Sequence, residues 1–178
     1  MRHFKLYSTK FLDLIQTKFL DKKGIEKNWF WAQRPNSQNA VVIVATVKDK
    51  LVVIKEFRVP IANYEYSLPA GLIEQNQDIK TTVIRELKEE TGLDVVRFLK
   101  EPSPIIYNSA GLTDEGCSIV YVEASGTITN DNLQDSEDIE TFLMSKEDVK
   151  ELMTKAMNDK NICIGAKAWL VFENFIKI

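Results

Sequence analysis

The stretch Gly71–Leu93, GLIEQNQDIKTTVIRELKEETGL, constrains this chain more than any other. Ile79, Val83 and Leu87 recur at helical spacing and form an apolar stripe that must pack down on something. Glu86, Glu89 and Glu90 fall three and four residues apart, so they share another face of the same helix. That face is predicted to point outward. Asp78 or Asn76 can cap the start, and Gly92 suits a left-handed exit. Like charges on adjacent turns repel, so the acids cost stability unless a cation is nearby. Hard divalent cations such as Mg²⁺ take oxygen ligands and keep waters that a phosphate can displace. A solvated Glu/Lys face is the plain alternative reading of the acids alone.

The segments around this stretch fit one mixed domain. Ala40–Val47 and Leu51–Phe57 are β-branched, nearly continuous apolar runs, joined by Lys48-Asp49-Lys50. Such runs predict a central hairpin buried on both faces. Pro60 breaks the second strand, and Tyr64–Leu68 gives a short strand before the turn Pro69-Ala70-Gly71. A glycine there lets the backbone come close to another group, and the Ala70 carbonyl can then face a metal held by the helix. Further strands are predicted at Val95–Leu99, Ile105–Tyr107, Ser118–Ala124 and Ile139–Met144. Ser145-Lys146-Glu147-Asp148 reads as a capping box with Asp in the third helical position, opening a helix to about Asn158. A last helix is expected over Ile164–Ile176. Residues 4–34 read as antiparallel β-structure, too small to be stable alone.

Composition excludes several classes. Hydrophobic residues make up 44% and charged residues 28% of 178, an ordinary globular balance. Net charge is −3 without a basic run, so neither nucleic acid nor an anionic membrane is an expected partner. No apolar run is long enough to cross a bilayer. Residues 1–20 carry Lys5, Lys10, Asp13 and Lys18, so no secretory core is expected there. Cys117 and Cys163 lack metal spacing; a disulfide between them is one reading, and reduced cytoplasmic thiols are the favoured one. His3 is the only histidine. It is expected at a mobile terminus, which leaves no histidine-based catalytic centre.

Gly71, Arg85, Glu86, Leu87, Glu89, Glu90, Gly92 and Leu93 resemble the Nudix box, Gly-x5-Glu-x7-Arg-Glu-apolar-x-Glu-Glu-x-Gly-apolar. Gln77 departs from it, standing where the family has its first glutamate, a structural partner of the box arginine. Gln77 can still accept a hydrogen bond from Arg85, without charge assistance. Glu56-Phe57-Arg58-Val59-Pro60 and Tyr66-Ser67-Leu68-Pro69-Ala70-Gly71 resemble the ADP-ribose pyrophosphatase branch. So do the loop Ser109–Glu115, the acidic Asp135–Ile139 and the β extension before the core. Ala110 replaces a proline that is usual in that loop.

The resemblance implies an α/β/α sandwich with a mixed sheet and an N-terminal antiparallel β extension. Residues 1–36 would form the extension and 37–178 the Nudix domain. It implies hydrolysis of the diphosphate bond of ADP-ribose or a related nucleoside diphosphate sugar, with Mg²⁺ or alternatively Mn²⁺. Glu86, Glu90 and the Ala70 carbonyl would hold the metal, with Glu89 next. Glu137, then Asp135, would orient or deprotonate the water, and Glu89 is a further catalytic candidate. Arg58 would hold phosphate, because a guanidinium binds its oxygens in a two-pronged way. Trp29 or Trp31 would stack on the base, Arg34 would touch the ligand, and Glu115 the terminal ribose. A homodimer is expected, with the extension crossing to the partner. The alternatives are a nucleotide-sugar sensor of weak or no activity and a nucleoside triphosphate housecleaning hydrolase.

Overall fold

The computed structural model describes residues 1–34, 39–133 and 138–177. Its framework follows from the hairpin of β4 (Ala40–Val47) and β5 (Lys50–Arg58). The two strands pair only at Thr46↔Leu51 and Val47↔Lys50, and then splay apart. The next stretch of chain fills the fork. β6 (Asn63–Ser67) runs antiparallel along β5, and β7 (Ala70–Leu72) runs antiparallel along β4. Leu68 is buried in the crotch, and the Pro69 carbonyl accepts from the Ile43 amide at 2.8 Å.

β8 (Asp94–Phe98), β9 (Ile106–Tyr107), β10 (Gly116–Ser125), β11 (Ile139–Met144) and β12 (Cys163–Ile164) complete a mixed nine-stranded sheet. β10 lies parallel to β4, β12 parallel to β6, and β11 antiparallel to β5. β7 and β12 were not foreseen: Ala70 and Gly71 were read as part of a turn but pair with β4 as a strand, and the two residues of β12 carry no period. The other predicted strands stand within about two residues of their expected ends, the ordinary slack of strand boundaries.

The apolar runs are continuous because both faces of the sheet are covered. Val41, Ile43 and Ala45 face α1 (Ile79–Thr91), where they meet Val83 and Leu87. Val42 and Val44 face α2 (Lys146–Asn158) and α3 (Ala166–Phe175), where they meet Val149, Leu152 and Phe172. The result is the expected α/β/α sandwich. The capping box of α2 forms in both directions between Ser145 and Asp148. Asp78 caps α1 by accepting from the Thr81 amide at 2.9 Å, whereas Asn76 takes a left-handed turn before it.

β1 (Arg2–Ser8), β2 (Asp13–Leu20) and β3 (Glu26–Gln33) form a separate antiparallel sheet. Its end is fastened to the loop before β10. The Ala32 amide donates to the Leu112 carbonyl at 2.8 Å, and the Gln33 side-chain amide donates to Asp114 at 2.7 Å. His3 is not at a loose end: it pairs opposite Thr17 within this sheet.

Gly92 ends α1 with φ of 76°, and a Cβ there would stand 2.4 Å from Thr129 Cγ2 and 2.8 Å from Thr129 N. Gly92→Ala is therefore expected to destabilise the protein by at least about 1–2 kcal/mol from the backbone conformation alone. Urea unfolding monitored by circular dichroism measures this.

Candidate active site

α1 lays its last two turns across β7. On an extended strand a residue's N–H and C=O leave along the same edge. Pro69, Gly71 and Ile73 point that edge toward β4, so Ala70 and Leu72 turn theirs toward α1. The Ala70 amide accordingly donates to Glu90 Oε2 at 3.0 Å, and the Leu72 carbonyl accepts from Arg85 Nη2 at 3.3 Å. The Ala70 carbonyl lies on this same side, as a metal-facing carbonyl requires.

The acids do not point out into solvent as the spacing suggested. Glu86 and Glu90 are only 8% and 5% exposed, folded in between α1 and β7. Gly71 makes the room: a Cβ there would lie 1.8 Å from the Glu86 carboxylate carbon. Arg85 compensates part of this buried charge. Its Nη2 stands 2.8 Å from Glu86 Oε1, and its Nη1 donates to Glu89 Oε2 at 2.9 Å. Burial works against the guanidinium's charge, but Glu86 and Glu89 outweigh it and raise the Arg85 pKa.

Gln77 does not serve Arg85. Its amide nitrogen donates to Glu74 Oε2 at 2.9 Å, and its oxygen accepts from the Thr82 hydroxyl at 3.3 Å. Among the described residues, the buried Arg85 Nε has no hydrogen-bond partner. The NH2 end of the Gln77 amide accounts for this, because it is drawn to the Glu74 carboxylate. An acidic side chain in its place would be repelled from Glu74.

The donor set fits a hard divalent cation of the open kind. Among the described residues no three carboxylate, thiol or imidazole groups close on one point. Mg²⁺ needs no such cage; one or two carboxylates, water and substrate oxygens suffice. Glu86, Glu90 and the Ala70 carbonyl supply that number, with Glu89 beside them.

The remaining described candidates stand at the end of β5 and around β3. Arg58, at the end of β5, is held by two acids: its Nη1 donates to Glu56 at 2.7 Å and its Nε stands 3.5 Å from Glu65. Trp29 and Trp31 share one face of β3 and line a cavity of about 460 Å³ with His3, Thr17, Ala110 and Thr113. The Trp29 indole donates to the Gly111 carbonyl at 3.0 Å, and the Trp31 indole to Thr17 Oγ1 at 2.7 Å. Arg34 and Glu115 are brought together as an ion pair, and Glu115 also accepts from Asn108. Asp135 and Glu137 lie outside the described residues; Asp138 beside them anchors to Tyr64 Oη at 2.5 Å.

Sequence reasoning missed His3 and Thr17 as cavity walls. Thr17 Oγ1 lies 2.8 Å from His3 Nδ1, and the imidazole packs edge-on to Trp31 at 6.1 Å between centroids. Only strand register brings these residues together. Both cysteines are free thiols, and burial pushes the Cys117 pKa up.

A NUDIX domain model matches residues 36–163. An ADP-ribose pyrophosphatase of Saccharomyces cerevisiae is 31% identical over 170 residues, covering 86% of this chain and 73% of the yeast protein. An ADP-sugar pyrophosphatase of Mus musculus is 24% identical over 175 residues, covering 90% and 79%. The solved structure of an ADP compounds hydrolase superposes with a TM-score of 0.74 at 17% identity, covering 99% of this chain and 92% of that one, and so shares the fold. The chain belongs to the Nudix family of hydrolases.

The close approach at Gly71 gives a direct test. Gly71→Ala is expected to expel the Glu86 carboxylate while leaving the sheet in place. Mn²⁺ affinity, read by isothermal titration calorimetry, should weaken about 10–100-fold, the range for disturbing the surroundings of a metal ligand.

Proposed function

We propose that this chain hydrolyses the diphosphate bond of ADP-ribose or a related nucleoside diphosphate sugar. Water adds across the P–O–P bridge, giving a nucleoside monophosphate and a sugar phosphate. The observation that carries this reading is the pair of buried carboxylates, Glu86 and Glu90, lodged against the backbone of β7. The names of the yeast and mouse relatives support the substrate class.

Glu86, Glu90 and the Ala70 carbonyl would hold Mg²⁺, or Mn²⁺ in its place, with Glu89 directly or through water. When bound, such an ion neutralises phosphate oxygens and lowers the pKa of a coordinated water. The chain's own groups do the rest. Glu137, with Asp135 as second choice, takes the proton of the attacking water, and Glu89 is the other acid within the box. Arg58 turns from Glu56 and Glu65 to grip a phosphate. Trp29 or Trp31 stacks on the base, and the Arg34–Glu115 pair opens to meet the ribose side of the ligand. Two free thiols fit a reducing compartment, so the reading includes a cytoplasmic location. Among the described residues no helix is long and apolar enough to cross a membrane.

The reading includes a homodimer, with residues 1–36 as the extension that joins it and 37–178 as the catalytic domain. Phe4 and Phe30 flank Gln16 on the outward face of the three-stranded sheet, beside Leu14, and all three apolar side chains are exposed. Exposed apolar patches of this kind mark interaction surfaces. The reading has a second copy seated there and Trp29 or Trp31 of one subunit near the substrate of the other.

A panel of ADP-ribose, GDP-mannose, UDP-glucose, NADH and 8-oxo-dGTP with Mg²⁺, its products separated chromatographically, tests the substrate. ADP-ribose or another nucleotide sugar should give the nucleoside monophosphate. Binding without turnover would instead indicate a sensor. Glu90→Gln should lower turnover by about a hundredfold, the scale of losing a group that stabilises transition-state charge. Near-normal activity in that variant would remove Glu90 from the metal site.

Light scattering tests the assembly. The intact chain should run at twice its 20.4 kDa mass. Phe30→Lys should shift it toward a monomer, and an active monomeric wild-type chain would overturn the dimer.

A further inference from the structure

We infer that Gln77 sets the divalent-cation affinity of this site through Arg85, which acts as a positioning residue on the metal-holding carboxylates. The inference rests on the reading above that Glu86, Glu89 and Glu90 hold the cation. Three observations converge. Arg85 Nε is buried and has no hydrogen-bond partner among the described residues. Of the other two nitrogens, Nη2 stands 2.8 Å from Glu86 and also donates to the Leu72 carbonyl at 3.3 Å, and Nη1 donates to Glu89 at 2.9 Å. Gln77, which reaches the helix through Thr82, has both ends of its amide engaged, by Glu74 and by Thr82.

The consequence is a competition. A carboxylate oxygen that accepts from a guanidinium has that lone pair occupied, and the fixed positive charge beside it repels an arriving cation. With no described residue drawing on Nε, the charged partners of Arg85 are the two acids, and the neutral Leu72 carbonyl is its other acceptor, so a cation must displace or share the acids. A carboxylate at position 77 changes the balance. It has no N–H to give Glu74, and like charge pushes it away from that residue. Thr82 and Arg85 lie three apart on one face of α1, so the side chain that now reaches Thr82 is within reach of Arg85. Its two oxygens would take Nε–H and part of the guanidinium's charge, loosening the hold on Glu86 and Glu89.

The test is an Mn²⁺ titration without substrate, followed by the electron paramagnetic resonance signal of free Mn²⁺. Gln77→Glu should tighten Mn²⁺ binding about tenfold, the lower end of outer-group effects on metal affinity. Gln75→Glu adds the same charge on an exposed side chain in the same loop, and screening should hold its effect within about twofold. An unchanged affinity in Gln77→Glu, or an equal gain in Gln75→Glu, overturns the inference. So does the absence of Mn²⁺ binding in both the wild type and Gln77→Glu. If Gln77→Glu does not fold, Arg85→Lys gives the same reading: a single ammonium cannot grip both acids, and unchanged Mn²⁺ affinity overturns the inference. The substrate panel is independent of this outcome. Tighter Mn²⁺ binding in Gln77→Glu with no nucleotide-sugar hydrolysis would sink the substrate assignment and leave the role of Gln77 standing.

Discussion

The contact between the Glu86 carboxylate and the bare Cα of Gly71 is the constraint on which the candidate site depends. A carboxylate can sit there only because no Cβ occupies the space. Buried charge is costly unless it is paired and hydrogen-bonded. The local answer is a small network in which Arg85 faces Glu86 and Glu89 while the Ala70 amide faces Glu90. The Leu72 carbonyl ties the same guanidinium back to the strand. Helix and strand are thus joined by polar groups on the side where chemistry is expected, and by Val83 and Leu87 on the side that faces the sheet.

The fork between β4 and β5 explains why β7 can offer its edge to α1 at all. In a continuous sheet both edges of a strand are taken by neighbours. Here β7 is three residues long and bonds β4 with alternate residues only, so Ala70 and Leu72 keep their polar groups for the helix. Leu68 and Pro69 fix the depth to which this segment enters the fork. The tight register of the core, with alternate residues of β4 sent to opposite helix layers, then holds the geometry rigid.

The aromatic cavity is built on different terms. Its walls come from the N-terminal sheet and from the loop before β10, joined mainly by hydrogen bonds rather than by a shared apolar core. The Arg34–Glu115 pair closes the same seam. Two sheets meeting at a hydrogen-bonded seam have fewer packing constraints between them than the layers of the sandwich have.

By itself the sequence determined the mixed α/β class, the box helix with its Gly92 exit and a cap at Asp78 or Asn76, the doubly buried β4 and β5, and the capping box of α2. Each of these is local: period, cap chemistry and spacing suffice. The box also carried the family. Tertiary structure alone decided that Glu86 and Glu90 lie inward, because helical spacing tells which residues share a face but not what covers it. It decided that Gln77 bonds Glu74 and Thr82 rather than Arg85, since an amide's partners depend on which acceptor stands nearest. It placed His3 and Thr17 beside Trp31, a juxtaposition set by register between strands far apart in the chain. And it paired Arg34 with Glu115 across 81 residues, a contact written in no local pattern because it exists only when two sheets meet.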